Sequence, residues 1–195
     1  MACDNKKPLV AYCGKPGCNA EAAAIGYFND SVQPLPLNSF DEVFQQVTEG
    51  KADYGMIPIE NSLGGSVYQN YDNFRKYPEV FISGAIAIKI SYCLLAVKGS
   101  KIEDIKKVYS HPQALLQTSR FLSSHKEWQQ IEAYNTSGAA LFVSETGSKD
   151  NAAVASEVNA SIYKLDILAK GIEDDPNNFT RFVVITKEQK TTEDA

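Results

Sequence analysis

Histidine is scarce in this 195-residue chain: His111 and His125 are the only two, beside four cysteines, two methionines and one tryptophan. Cys3, Cys13, Cys18 and Cys93 form no CxxC pair, and no histidine lies near them, so the spacing of a zinc site is missing. Cys13 and Cys93 fall in apolar runs and read as buried thiols rather than disulfide partners, whereas Cys18 follows Gly17 in a loop. Long apolar runs are also lacking. The longest, around Phe81–Ile90, is interrupted by Ser83, Gly84 and Lys89, which excludes a membrane-spanning helix. Met1–Pro8 is polar, has no apolar h-region and contains no arginine, so neither a secretory leader nor a transit peptide is expected, and cytoplasmic residence is. Basic stripes are absent and the net charge is −5, so neither nucleic acid nor membrane is an expected partner. An anionic small molecule would have to be held by local groups, because the global charge does not attract it.

What remains is an ordinary globular composition, 44% hydrophobic and 22% charged, enough to build a core in one domain or in two intimate lobes. Leu9–Cys13 reads as a buried strand that breaks at Gly14-Lys15-Pro16-Gly17, and the alanine-rich Glu21–Tyr27 as a helix. Ser39 and Glu42 have the spacing of a capping box. Phe40, Val43, Phe44 and Val47 then give one apolar helical face, terminated at Gly50. Tyr54–Ile57 is a strand expected to end at Pro58, followed by the polar loop Glu60–Gly65 and a helix over Val67–Phe74. Phe81–Val97 is almost continuously strand-like. Beyond it, strands at Val108-Tyr109, Ile131–Tyr134, Ala152–Ala155 and Ile167–Ala169 alternate with helices. These helices begin at Pro112, near Asn135-Thr136-Ser137, and at Glu157; Phe182–Ile185 is a last strand before a charged tail. The alternation specifies an α/β protein with parallel or mixed sheets. Ligands of such folds bind where the carboxyl ends of strands meet helix N-termini.

Several loops carry a resemblance. Pro58-Ile59-Glu60-Asn61-Ser62-Leu63-Gly64-Gly65-Ser66-Val67 resembles the prephenate dehydratase signature, and Asn178-Phe179-Thr180-Arg181-Phe182 contains the Thr-Arg-Phe motif of that family. Ser110-His111-Pro112-Gln113-Ala114-Leu115 and Ala152-Ala153-Val154-Ala155-Ser156 match two further blocks, in order, from Leu9 to Thr186. Leu63–Ser66, Asn70-Tyr71-Asp72 and Thr136–Ala140 look closest to plant-type arogenate dehydratases.

The resemblance implies a two-lobed, periplasmic-binding-protein-like (type 2) α/β fold with mixed sheets and an interlobe cleft. Lobe one would take residues 1–84 plus 177–195, and lobe two residues 85–176. The implied activity is that of a carbon–oxygen lyase of phenylalanine biosynthesis: decarboxylating dehydration of arogenate to phenylalanine, of prephenate to phenylpyruvate, or both. Aromatisation drives such a reaction, so no metal or redox cofactor is implied. The ligand is a small dicarboxylate, and the family suggests a homodimer. Family enzymes usually add a C-terminal phenylalanine-binding domain; the chain ends soon after its last strand, so no such domain is expected.

The family pattern marks Thr180 as the catalytic residue, and the side-chain chemistry of Glu60 and His111 makes them further catalytic candidates. Thr180 would donate a hydrogen bond to the leaving oxygen, or else cap the start of its strand. Glu60 is an acid or a partner of Arg181, and an acid role near neutrality requires its pKa to rise from ~4.3. His111 is an acid or, beside Pro112, a turn residue. Arg181 is a carboxylate clamp or a structural ion-pair partner. Asn61 and Ser62 face substrate or close their own turn. Thr136 and Ser137 cap a helix whose N-terminus can hold a carboxylate. Gln113, Phe182, Cys18 and Asn19 complete the substrate-binding set. At Ala20 the chain leaves the pattern, because family members supply a hydroxyl there. If that hydroxyl contacts substrate, its loss costs roughly 1–3 kcal/mol. The departure keeps open a catalytically impaired binding or protein-interaction module as the alternative.

Overall fold

The computed structural model describes residues 7–29 and 31–188, so Cys3 and the end of the charged tail lie outside the described residues. β1 (Leu9–Cys13) leads to α1 (Asn19–Tyr27), whose buried Ala20, Ala23 and Ala24 allow close approach to the sheet. β2 (Gln33–Leu37) carries no strand signal, because Pro34 and Pro36 cannot donate to a ladder; it forms at the sheet edge, where proline is tolerated. α2 (Phe40–Thr48) starts as expected: Ser39 Oγ accepts from the Glu42 N–H at 3.2 Å, and the Glu42 carboxylate accepts from the Asn38 N–H at 3.0 Å.

β3 spans Tyr54–Asn61, β4 Gly65–Ser66, α3 Tyr68–Lys76 and β5 Phe81–Lys89. Pro58 therefore does not end its strand. The register of β3 shifts around it, and a bulge is a place where a strand accommodates proline. The strand-like run from Phe81 is divided, since β5 stops at Lys89 and β6 (Cys93–Val97) belongs to another sheet.

A 3₁₀ turn at Ile102–Asp104 precedes β7 (Lys107–Ser110) and α4 (Pro112–Gln117). The single helix expected from Pro112 breaks at Thr118, whose hydroxyl bonds the Ala114 carbonyl at 2.8 Å, and resumes as α5 (Ser119–Ser123). β8 (Gln129–Glu132) lies slightly before its expected position. α6 (Thr136–Thr146), β9 (Asn151–Ala155), α7 (Val158–Tyr163), β10 (Leu165–Lys170) and β11 (Phe179–Thr186) follow.

The chain divides into two compact units. The first takes the chain up to Gly14, Asn19–Ile88 and the chain from Phe179; the second takes Lys15–Cys18 and Lys89–Asn178. The sheet of the first unit runs β2-β1-β3-β11-β5, parallel across β2, β1 and β3 and antiparallel where β11 meets β3, with β4 paired to β3. The second runs β10-β6-β9-β7-β8, antiparallel up to β9 and parallel beyond it. Two mixed sheets, one built by an insertion into the other's sequence, are the periplasmic-binding-protein-like type 2 fold.

In the first unit Val43, Phe44 and Val47 of α2 pack against Ala11, Ile57 and Ile185, and Phe44 meets the rings of Phe74 and Tyr77 at 5.0 and 5.6 Å. The second unit has a core on each face of its sheet. Leu94, Ala152 and Val154 join one cluster, while Leu95, Ala153 and Ala155 join the other, as the two-residue period of a strand requires. Gly55 on β3 shows how tightly the first core is filled: a Cβ there would lie 2.7 Å from Ile185 Cγ1 and 2.9 Å from Val43 Cγ1. Gly55→Ala should therefore destabilise the protein by about 1–3 kcal/mol, measured as a lower urea midpoint with an unchanged m-value.

Candidate active site

The first unit gathers six of the expected residues where β3 ends and β11 begins. In the antiparallel register Thr180 lies opposite Asn61 and Arg181 opposite Glu60. The Asn61 amide closes its own turn, one of the two roles expected of it, and also joins β3 to β11. Its Oδ1 accepts from the Leu63 and Gly64 N–H groups at 3.1 and 2.7 Å, closing its own turn. Its Nδ2 donates to the Thr180 hydroxyl at 2.9 Å and to the Phe179 carbonyl at 3.1 Å. Among the described residues Asn61 is the only hydrogen-bond partner of that hydroxyl. Since the Thr180 oxygen accepts there, its own hydrogen is available to another acceptor.

Ser62 joins the two strands a second time: its N–H donates to the Phe179 carbonyl and its Oγ accepts from the Phe179 N–H, both at 2.9 Å. Arg181 Nη1 stands 3.8 Å from Glu60 Oε2, with both side chains more than half exposed. That separation exceeds hydrogen-bonding distance, and among the described residues the guanidinium makes no hydrogen bond. Its fork thus remains open to an external carboxylate. Phe182 is placed otherwise than expected. It is 2% exposed, because β11 turns that side chain into the sheet, and it presents no surface to a ligand.

The second unit collects another group at the carboxyl ends of adjacent parallel strands. β8, β7 and β9 are neighbours, and α4, α6 and α7 start beyond them. His111 is the N-cap of α4: its Nδ1 accepts from the Gln113 N–H at 3.2 Å. Burial of the imidazole lowers its pKa below the usual 6.5, against an opposing effect of the nearby Glu132 carboxylate. The structure thus shows the turn role, and the lowered pKa works against an acid role near neutrality. Gln113 is exposed in the first turn of α4.

Thr136 and Ser137 are not the caps of α6. Asn135 is, with its Oδ1 accepting from the Gly138 N–H at 2.6 Å. Asparagine reaches this N–H because it precedes the helix in extended conformation, whereas Thr136 and Ser137 already lie inside the first turn. Ser137 is fully buried, and its hydroxyl makes no hydrogen bond among the described residues. Ser137 lies in the first turn of this 11-residue helix but, like Phe182, presents no surface to a ligand.

Lys15–Cys18 groups with this second unit for a clear reason. The Gly17 carbonyl accepts from Ser156 Oγ and Asn159 Nδ2, both at 3.1 Å, and the Pro16 carbonyl accepts from Tyr163 Oη at 2.7 Å. Gly17 has φ +86°, and a Cβ on it would lie 2.5 Å from Asn159 Oδ1, so only glycine fits. Ser156 lies in a family block, but nothing in the spacing of the sequence points from Gly17 to Asn159. Cys18 and Asn19 are partly buried, Asn19 begins α1, and the departing Ala20 is buried in that first turn. Cys13 has its thiol pKa pushed up to about 11, chiefly by burial, and stays protonated near neutrality. Among the described residues no group of three His, Cys, Asp or Glu side chains is placed to hold a metal ion.

The prephenate dehydratase family model matches residues 10–190. Arogenate dehydratase 5, chloroplastic, from Arabidopsis thaliana is 42% identical over 180 residues, which cover 92% of this chain and 42% of that relative. The chain spans less than half the length of the curated relatives it matches. Among solved structures, prephenate dehydratase from Arthrobacter aurescens in complex with L-Phe aligns with a TM-score of 0.89 at 25% identity, over 96% of this chain and 63% of that one. GqqA, described as a novel type of quorum quenching acylase, aligns with a TM-score of 0.84 at 30% identity, over 94% and 65%.

The capping role of His111 has a pH signature. A histidine whose folded pKa is depressed contributes stability above its unfolded value of 6.5, and that contribution is lost as pH falls through the lower folded value. Thermal melts of the wild type should therefore show a loss of stability below pH 6.5 that is weaker in His111→Asn, which keeps a capping acceptor without the titration. An unchanged pH dependence in His111→Asn would show that other groups carry it.

Proposed function

The chain belongs to the prephenate dehydratase family, and on that premise we propose that it catalyses decarboxylating dehydration of arogenate to phenylalanine, of prephenate to phenylpyruvate, or of both. The observation that carries this reading is the hydrogen bond from Asn61 Nδ2 to Thr180 Oγ1. In the reaction the ring–carboxylate bond breaks and its electron pair enters the ring. The ring–hydroxyl bond breaks as aromaticity forms, and the departing hydroxide leaves as water with a proton drawn ultimately from solvent. Charge therefore develops on the leaving oxygen. A hydroxyl whose oxygen accepts from an amide donor keeps its hydrogen for the leaving oxygen, and a donor held in place by the fold needs little reorganisation during the step. Threonine is too weak an acid to be the full proton source. Its part is a fixed hydrogen bond that strengthens as charge grows.

Arg181 would hold a substrate carboxylate. Its neighbour Glu60, opposite it on β3, is too distant to occupy the guanidinium. A second reading, a dehydratase-like protein that binds without turnover, rests on Ala20, where the family hydroxyl is missing. Incubation of the purified protein with prephenate and, separately, arogenate distinguishes the two. Phenylpyruvate or phenylalanine should form faster than the acid-catalysed background, and no product from either substrate would sink the enzyme reading.

The roles make separable forecasts. Thr180→Ala should lower kcat by about 10²-fold or more while leaving the melting temperature nearly unchanged. Arg181→Ala should raise KM by about tenfold or more, again with little effect on stability, because the Glu60 pair it breaks is long and exposed. Ala20→Ser should raise turnover if the missing hydroxyl limits the enzyme; steady-state kinetics of the three variants checks each outcome.

A further inference from the structure

Asn70 has no part in the site described above, yet it is one of the most deeply buried polar side chains of the first unit, at 0% exposure in the first turn of α3. Its Nδ2 donates to the Pro58 carbonyl at 2.7 Å, and its Oδ1 accepts, at a longer 3.4 Å, from Asn73 Nδ2. The orientation of the amide is not in question, because a carbonyl can only accept. Pro58 marks the point where the β3–β11 register shifts: Phe182 pairs with Pro58, but Arg181 pairs with Glu60, so Ile59 is an extra residue on β3. The Ile59 carbonyl is taken by the Val67 N–H at 2.9 Å, and the Asn70 N–H returns to the Val67 carbonyl at the same distance. Two consecutive carbonyls of the bulge are thus held by the segment that enters α3.

The bulge decides which residues meet. A regular ladder continued from the Phe182–Pro58 pair would set Arg181 opposite Ile59 and Thr180 opposite Glu60. One inserted residue moves each partner by one, so that Asn61 faces Thr180 and Glu60 faces Arg181. We propose that Asn70 is a positioning residue: by clamping Pro58 it fixes the bulge, and through the bulge it fixes the Asn61–Thr180 hydrogen bond. The catalytic part of this rests on the proposed dehydratase reading, whereas the placement of the strand does not.

Asn70→Leu removes the amide donor while keeping the number of side-chain heavy atoms, and the smaller Asn70→Ala serves if the bulkier leucine variant does not fold. Two readouts separate this role from a merely structural one. By hydrogen exchange, the Ser62 and Phe179 amides, which close the β3–β11 junction, should lose protection by about tenfold or more relative to wild type, while amides of β6 and β9 keep theirs. In steady-state assays with prephenate and arogenate, kcat should fall by about tenfold or more with KM within about twofold, and the same substitution in a Thr180→Ala background should cause no further fall. Unchanged Ser62 and Phe179 protection overturns the proposal, as does a loss spread over both units or failure of both variants to fold. An equal loss of kcat in the Thr180→Ala background overturns the route through Thr180. A wild type without turnover overturns the dehydratase reading alone, and the exchange data still decide whether Asn70 holds the bulge.

Discussion

The antiparallel contact between β3 and β11, with its one extra residue at Ile59, is the constraint on which the candidate site depends. Asn61 and Thr180 are 119 positions apart in the chain, and this pairing alone brings them within 2.9 Å. The same pairing inserts the last described strand between β3 and β5, completing the sheet of the first unit. Fold closure and site assembly are therefore one event. The buried half of β11, Phe182 to Thr186, anchors the strand in apolar packing, and the partly exposed half, Phe179 to Arg181, presents polar groups. Where the bulge interrupts the ladder, the strand passes from one regime to the other.

The second unit achieves a comparable assembly by different means. Its parallel strands β8, β7 and β9 release the chain at one end of the sheet, and three helices begin there. Capping is left to side chains just outside the helices, His111 and Asn135, which frees the first-turn groups of Ser137 and Gln113 from that duty. Alanine-rich strands and helices keep the layers close, with Ala152, Ala153 and Ala155 all at 0% exposure. The loop at Gly17 is gripped through backbone carbonyls rather than side chains. Ser156, Asn159 and Tyr163 donate the hydrogen bonds to these carbonyls.

Stability and the candidate site draw on different parts of the molecule. The apolar faces of α2 and of β6 and β9 supply the burial, at roughly 25 cal/mol for each Å² of apolar surface removed from water. The polar corner at Asn61, Thr180 and Arg181 contributes little to that total, since its one ion pair is long and exposed. What the corner contributes is geometry, a chain of amide and hydroxyl groups in which each acceptor has a defined donor.

Much of this was legible from the sequence itself. Periodicity and capping residues located β1, α2, α6 and β9, because local steric and hydrogen-bonding preferences act over a few residues. Ordered motif blocks identified the family and placed Thr180, Arg181, Asn61 and Ser62 among the candidates. Tertiary structure alone decided the rest. Pro58 and the β2 prolines read locally as strand breakers, and only a bulge and a sheet edge make room for them. His111 reads as acid or cap, and only the structure shows the Gln113 N–H on its Nδ1; Phe182 could face a ligand until its burial was seen. The contact of Asn159 with Gly17 has a sequence separation of 142 residues, and that of Asn61 with Thr180 one of 119. A one-dimensional pattern encodes which face of an element is apolar. It does not encode which distant backbone will meet that face, because that is settled by the packing of all elements at once.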